Sequence, residues 1–484
     1  MKIYIYTILC TLFLFGNSVY SQCFPKGTLT TAAFATGGES PYKKDVLWLT
    51  WGAQSASDLY GKHNQPLKNG SQSFASIDMG DGRYLCITAT ISNYKRLSGS
   101  NDITSYAPGN YSGDFLDKMY NIGGTGSANR LVNGIVVENS SEASFTVTCK
   151  ATIDGIPVRL SGMVLGDAES LASNENFDAS GYGEWTVVDQ RKNLSKGAYE
   201  VKKTNLNNGK QKIDFLKGND NNTGAVAFLT FNDKSYAAND LAVTFDVRLK
   251  GGGKTAIAIG LLPPGLDNGD APKSYGVASH MLEAKVPTSD NIPVNEENTW
   301  FPTKVNLNSS NYKVGGLVNG VNNYLGTTAP DADFELYYSK DAKGDDNTGT
   351  AGPNEEDAWP EHLRRFSHKL FYKKGDEIKA VISYSAFRDG YISGWIDFNQ
   401  NGQFDDEERR SVKALKADKG TVTMTWIVPN NRVIRSTYVR LRFGYNESEV
   451  KVPTGVAVGG EVEDHKIYIL GPARTNSSLP NKSR

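Results

Sequence analysis

Strict two-residue alternation is the feature that most constrains this chain. From Leu241 to Lys250, Val243, Phe245, Val247 and Leu249 alternate with Thr244, Asp246, Arg248 and Lys250. A period of two sends successive side chains to opposite faces of a strand, so such a segment settles in a sheet with one face buried. Similar runs occur at Ser144 to Ile153, Ala225 to Phe231, Glu377 to Tyr384 and Thr421 to Ile427, and Val439, Leu441 and Phe443 alternate with Arg440 and Arg442. Asn207-Asn208-Gly209 and Asn219 to Gly224 punctuate the runs as turns. Helical periodicity is scarce: Ser112 is placed to cap a short helix through Phe115, Leu116, Met119 and Tyr120. The expected fold is all-β: two β-sandwich domains in tandem with short helical insertions.

The ends bound the location. Lys2 precedes an apolar run from Ile3 to Phe15, and small residues follow to Ser21. The run is too short to span a bilayer and reads as a signal peptide, residues 1–21, with cleavage after Ser21. A lipoprotein reading through Cys23 is weaker, because Gln22 is a poor residue before a lipidated cysteine. No other segment is apolar enough to span a membrane, so the expected location is extracellular or on the cell surface. Residues 22–34 form an N-terminal segment. Leu262-Pro263-Pro264-Gly265 marks the best boundary, giving sandwiches over 35–262 and 263–470 and a polar, disordered tail over 471–484. Export would allow Cys86 and Cys149, both in strand-like runs, to pair, although three mature cysteines leave one over; the alternative reading is that they are buried free thiols.

Enzyme motifs are missing. There is no G-x-S-x-G, H-E-x-x-H, P-loop or dinucleotide fingerprint, and the five histidines lack metal-ligand spacing. A net charge of -1 gives no general attraction to nucleic acid. The expectation is a protein that is not an enzyme.

The sharpest local signal is DFNQNGQFDDEE, Asp397 to Glu408. Calcium takes six to eight oxygens in a flexible cage. Asp397, Asn399, Asn401, the Gln403 carbonyl, Asp405 and Glu408 stand in the ligand order of a calcium loop, with Gly402 at its sharp turn. Its flanks are not those of a helix pair. Tyr391 to Ile396 enters as a strand, and Glu407 to Leu415 could follow as a short helix. The expected cofactor is a structural calcium on a β-scaffold, not a sensor site. Glu461, Glu463 and Asp464 crowd into four residues and repel unless a cation or basic partner stands nearby, so they form a possible additional acidic network.

Aromatics among adaptable polar residues suit contact with protein or glycan. Tyr106 and Tyr111 lie in one Gly-containing loop, Phe177 and Tyr182 in another segment, and all four are candidate ligand-binding residues.

Gly460-Glu461-Val462-Glu463-Asp464 resembles the signature that gives the bacterial GEVED domain its name. Other pieces follow that family's order: Asp267 to Gly276, Leu325-Gly326 with Asp331 and Asp333, Gly344-Asp345-Asp346, Glu355-Glu356-Asp357, and Trp395 to Gly402. Ala358 replaces the usual glycine, and His465 the final tyrosine. The resemblance spans Asp267 to Leu470 and implies a β-sandwich of secreted and surface proteins, adhesive or architectural, without an established reaction. The N-terminal half is similar to the lectin-like non-repetitive domain of CshA surface adhesins. Val46 to Gly52, Tyr106 to Tyr111, Gly134-Ile135, Phe145 to Gly155, Asp167 to Ser170 and Gly183 to Trp185 carry that likeness. It implies binding of host or matrix protein, or glycan. The function expected is that of a secreted adhesin-like protein. The alternatives are an architectural component of an extracellular assembly and a polysaccharide-binding accessory protein.

Overall fold

In the computed structural model the alternating runs become strands of two large facing sheets and three smaller ones. The structure describes Cys23 and residues 32–469, apart from 56, 79–82, 112, 192–198, 217–223, 283–291, 293, 297–322, 331, 334–335, 345–354, 365–373 and 430–434. The signal segment, Ser112, Asp331, Asp345, Asp346 and the tail lie outside the described residues.

The first sheet runs Ala33–Phe34, Leu47–Trp48, Lys254–Leu262, Gly162–Asp167, Gly224–Thr230, Glu184–Arg191, with Gly134–Glu138 and Thr104–Tyr106 on its flank. The second centres on Asn176–Gly181, Val243–Lys250, Glu142–Ile153 and Tyr84–Ser98. In this second sheet Val243, Phe245, Val247 and Leu249 face inward while Thr244, Arg248 and Lys250 meet solvent. The alternation therefore marks a sheet with one covered face.

The first sheet is covered on both faces, and its strands read as nearly continuous apolar runs. Leu165, Ile257, Ile259 and Leu229 join the core between the two sheets. Trp48, Val164, Phe228 and Ala258 join a second core beneath Phe115, Leu116, Met119 and Leu131. That cover is the segment between the strands Thr104–Tyr106 and Gly134–Glu138. Its helix spans only Leu116–Met119, with Phe115 before it and no side-chain cap.

The C-terminal half packs a four-stranded sheet, ordered Arg409–Ala414, Gly390–Ile396, Arg435–Gly444, Glu461–Ile469, against Tyr324–Leu325, Glu377–Ala386 and Ala417–Ile427. Ile382, Met424 and Trp426 meet Ile392, Leu441 and Phe443 in its core. A three-stranded sheet, Gly265–Asn268, Ala278–Leu282 and Gly455–Val458, adds Leu266 and Met281 to the N-terminal core. After the Asp397 loop there is a 3-10 turn, Asp406–Glu408, and then a strand in place of the helix expected over Glu407 to Leu415. Arg409 to Ala414 pairs along Gly390–Ile396, and the unfilled edge of that strand decides the outcome.

Of the two readings of the cysteines, the Cys86–Cys149 pairing fails and the buried free thiol holds for Cys149 alone. Cys86 bonds Cys23, and Cys149 is a buried free thiol facing Ala89 across the sheet. Cys86 and Cys149 stand on neighbouring strands but out of register, since Cys86 opposes Thr152. The Cys23–Cys86 bridge closes a separation of 63 residues, a loop whose closure in the chain-entropy picture is worth about 4 kcal/mol. Replacing both residues by serine should lower stability by about that amount in denaturant titration. Cys149 should react with a thiol reagent only once the chain is unfolded.

Candidate functional site

The Asp397 loop hangs from the strand Gly390–Ile396, which delivers Asp397 fully buried. Phe404 turns inward onto Tyr275, Trp395 and Ala271 and anchors the far side of the loop. Gly402 sits at φ +80°, where a side chain would strain the backbone. Asp397 accepts from Gln400 N at 2.6 Å, Gly402 N at 3.2 Å and the Tyr275 hydroxyl at 2.7 Å. Asn399 and Asn401 both donate to Asp405 Oδ2, each at 2.9 Å, so these three side chains converge on one point. Gln403 N donates to Asn401 Oδ1.

Glu408 uses both carboxylate oxygens on backbone N–H groups of the loop. Its Oε1 accepts from Phe398 N at 2.8 Å and its Oε2 from Asp405 N at 3.1 Å, so it staples the two ends of the loop together. Burial, with the charges of Asp397 and Asp405, pushes its carboxyl up to about 7. The Asn399 and Asn401 amide nitrogens face Asp405, and their oxygens accept the backbone N–H groups of Asn401 and Gln403.

The acidic network splits by strand parity. Glu461, Glu463 and His465 share one face of Glu461–Ile469, and Asp464 takes the other. Asp464 meets Arg440 through two bonds, Nε to Oδ1 at 2.8 Å and Nη2 to Oδ2 at 2.7 Å, with both side chains fully buried. It also accepts from Ala271 N at 2.8 Å. Glu461 accepts from Leu325 N, and Glu463 from Ala358 N at 2.9 Å. Each acid of the signature therefore grips the backbone of a different incoming segment.

Glu356, Glu463 and His465 bring ligand atoms within 4.8 Å of one another. The histidine is already engaged: Arg364 donates to its Nδ1 at 2.7 Å, and its Nε2 donates to Glu463 at 2.8 Å. The guanidinium supplies the positive charge there: Arg364 bridges His465 and the backbone oxygen of Glu356, and the Glu356 carboxylate stands 3.7 Å from His465 Nδ1. Arg442, beside Arg440, braces the carbonyls of Val452, Thr454 and Gly455. Its Nε donates to His280 Nε2 at 3.0 Å, and His280 Nδ1 donates to Gly459 O at 3.1 Å.

In the N-terminal half, Tyr106 is buried and donates to Asp114, and Phe177 is buried in a stack on Phe215 with centroids 4.5 Å apart. Neither is placed to touch a ligand, in contrast to the sequence expectation. Inward strand parity accounts for Phe177, and the carboxylate partner for Tyr106. Tyr111 is 53% exposed, and Tyr182 is half-buried with Lys210 Nζ 5.7 Å from its ring centroid. Sequence reasoning missed a second group, the buried carboxyls Asp114, Asp117, Asp167 and Glu169. They are scattered along the sequence from Asp114 to Glu169, so no spacing advertised them.

Residues 44–262 match the family described as surface adhesin CshA non-repetitive domain 2, and residues 391–468 match the GEVED domain family. No curated protein matches the chain. Among solved structures, the chain is similar to the N-terminal domain of the Streptococcus gordonii adhesin Sgo0707. That match has 8% identity and a TM-score of 0.29, over 91% of this chain and 88% of the other. A deletion mutant of Bacillus subtilis oxalate decarboxylase OxdC matches at 10% identity and a TM-score of 0.10, over 69% and 74% of the two chains. At these scores the structural likenesses carry no inference.

Two outcomes are expected. Asp464→Ala leaves the Arg440 charge buried and unpaired and should destabilise the C-terminal half by about 3–5 kcal/mol in denaturant titration. His280 is held well below the usual imidazole range by burial and by Arg442 and Arg440. A depressed folded value means its contribution is full above about pH 6.5 and is lost as the pH falls. Stability should therefore fall as the pH drops below about 6.5, and His280→Gln should remove that part of the pH slope in denaturant titrations.

Proposed function

We propose that this GEVED-domain protein, with an N-terminal domain of the CshA surface-adhesin type, is an exported adhesin that binds an extracellular protein or glycan. The match of residues 44–262 to a surface-adhesin domain carries the reading. The Cys23–Cys86 bridge favours an oxidising compartment, in keeping with removal of a signal peptide before Gln22. Among the described residues no helix is long and apolar enough to cross a membrane.

Tyr111 is the residue best placed to meet a ligand. Its ring is exposed while its backbone N–H, with that of Gly109, bonds to buried Asp114. An aromatic held on a fixed loop offers contact area at little entropic cost. Tyr182 and Lys210 add a second polar-aromatic spot. The C-terminal half serves as a stalk or partner module. Asp397, Asn399, Asn401, Gln403 and Asp405 would hold calcium there, with Glu408 closing the loop.

Binding of the mature chain to matrix proteins and glycan arrays tests adhesion. With a ligand in hand, Tyr111→Ala should weaken binding about tenfold, the loss of a contact worth roughly 1.4 kcal/mol. Silence in both screens would favour the architectural reading, and turnover of a polysaccharide would overturn the non-enzymatic one. For the loop, calcium at a hundredfold excess over its dissociation constant should add about 2.7 kcal/mol of stability over chelator. Asp397→Ala with Glu408→Ala should abolish the difference in melting.

A further inference from the structure

One half-buried arginine of the C-terminal half is held in place without an acid. Arg83, Arg159, Arg248 and Arg440 each pair with a carboxylate, and Arg409, Arg410 and Arg442 hold backbone carbonyls. Arg388 lies instead against aromatic rings, its Cζ 3.7 Å from the Tyr445 centroid and 5.3 Å from that of Phe387. Among the described residues nothing accepts a hydrogen bond from its guanidinium, and its Nε is shielded from solvent with no partner. The remaining donors of the fork are its Nη groups.

The mount of this side chain is fixed. Arg388 sits in the turn between Glu377–Ala386 and Gly390–Ile396. Before it, Phe387 N donates to Asn323 Oδ1 at 3.4 Å; after it, Asp389 Oδ1 accepts from Lys416 N at 2.9 Å. Tyr445 follows the strand Arg435–Gly444, its ring 6.2 Å from buried Phe443 and 5.2 Å from Phe387. A guanidinium stacked on a ring is preorganised, so little rotamer freedom is lost when its fork takes a ligand. Beside it Phe387 is 36% exposed, and Leu415, whose carbonyl accepts from the Tyr384 hydroxyl at 2.9 Å, is 59% exposed. The end of this sandwich thus presents an open apolar platform with one oriented cationic fork.

Charge selects the ligand. The adjacent acid, Asp389, is already paired with Lys413 Nζ at 3.0 Å, which leaves Arg388 uncompensated. A planar guanidinium matches a carboxylate through two parallel bonds. Size selects the carrier of that carboxylate. A stable protein interface takes about 20–30 residues a side, whereas the fork and the exposed rings come from a few residues on separate turns. A sugar ring offers an apolar C–H face of the size of one aromatic ring, and a uronic acid carries its carboxylate on that same ring. We infer that Phe387, Arg388 and Tyr445 form a binding site for a uronate residue of an acidic polysaccharide. Arg388 takes the carboxylate, Phe387 takes the sugar face, and Tyr445 supports the guanidinium from beneath. The site gives the C-terminal half a ligand of its own and stands whether or not the Tyr111 loop binds one.

Calorimetric titration of the mature full-length chain with trimers of galacturonate, mannuronate and glucuronate tests the site. At least one trimer should bind, and its methyl ester should bind about tenfold more weakly or worse. Arg388→Gln and, separately, Phe387→Ala should each lose about tenfold in affinity for the acid. Arg388→Lys should not restore it, because an ammonium neither forks nor stacks as a guanidinium does. Added salt should weaken the binding. Arg388→Gln should melt with the parent, since the guanidinium makes no hydrogen bond to the described chain, so a loss of binding in it is not a loss of fold. Silence toward all three uronates would overturn the proposal, and so would equal affinity for acid and ester. A tetraglutamate peptide bound more tightly than every uronate would make the turn a protein-docking site instead. A uronate captured through the Tyr111 loop would keep its affinity in Arg388→Gln, and that result too would overturn the assignment.

Discussion

The C-terminal half depends on buried carboxylates accepting backbone N–H groups from chain outside the four-stranded sheet. A carboxylate taken into an apolar interior costs several kcal/mol unless its oxygens are filled. Glu463 and Asp464 accept from Ala358 N and Ala271 N, and Glu461 accepts from Leu325 N on Oε2 while its Oε1 meets no donor; the three donors come from segments far apart in the sequence. Asp267 returns the gesture by accepting from Val462 N in the same strand. One strand thus fixes the irregular chain between the short strands, and Arg440 balances the acid on its other face. Such acids are fixed by two demands at once, solvation of the charge and attachment of the loop.

The same device serves the N-terminal half with a different balance. Glu175 is filled by three backbone donors and holds Gly252 and Gly253 against its own turn. Asp114 and Asp167 receive tyrosine hydroxyls on one side only. Where every oxygen is engaged, the carboxyl is a fastening. Where one stays bare beside like charges, burial and repulsion favour the protonated form.

Much of the fold was legible because burial on one face leaves a period of two. Val243 to Leu249 alternate as read, and so do Ile378, Ala380 and Ile382. The first sheet was harder, because Lys254–Leu262 is buried on both faces and its apolar run carries no phase. The helix expected after Glu408 gave way to a strand because an adjacent edge needed pairing, a demand that no local propensity records. Cys23 could not be matched to Cys86 from spacing, since pairing follows which chain end reaches the sheet. Tyr106 looked like a surface aromatic until its hydroxyl was seen to need Asp114.

The Asp397 loop shows how far a local ligand pattern extends. Its order of oxygens is that of a calcium loop, while Asn399 and Asn401 turn their amide nitrogens to Asp405. Yet a strand enters the loop and a strand leaves it, and Phe404 and Tyr275 lock it to the sheet. A helix pair can swing open when its loop binds an ion, because its packing is bistable. Strands paired on both sides lack that freedom: Trp395 is in register with Arg409 and with Arg440 at once, so movement would break two ladders. An ion bound here can add stability but has no second arrangement to select, and that separates a structural site from a sensor.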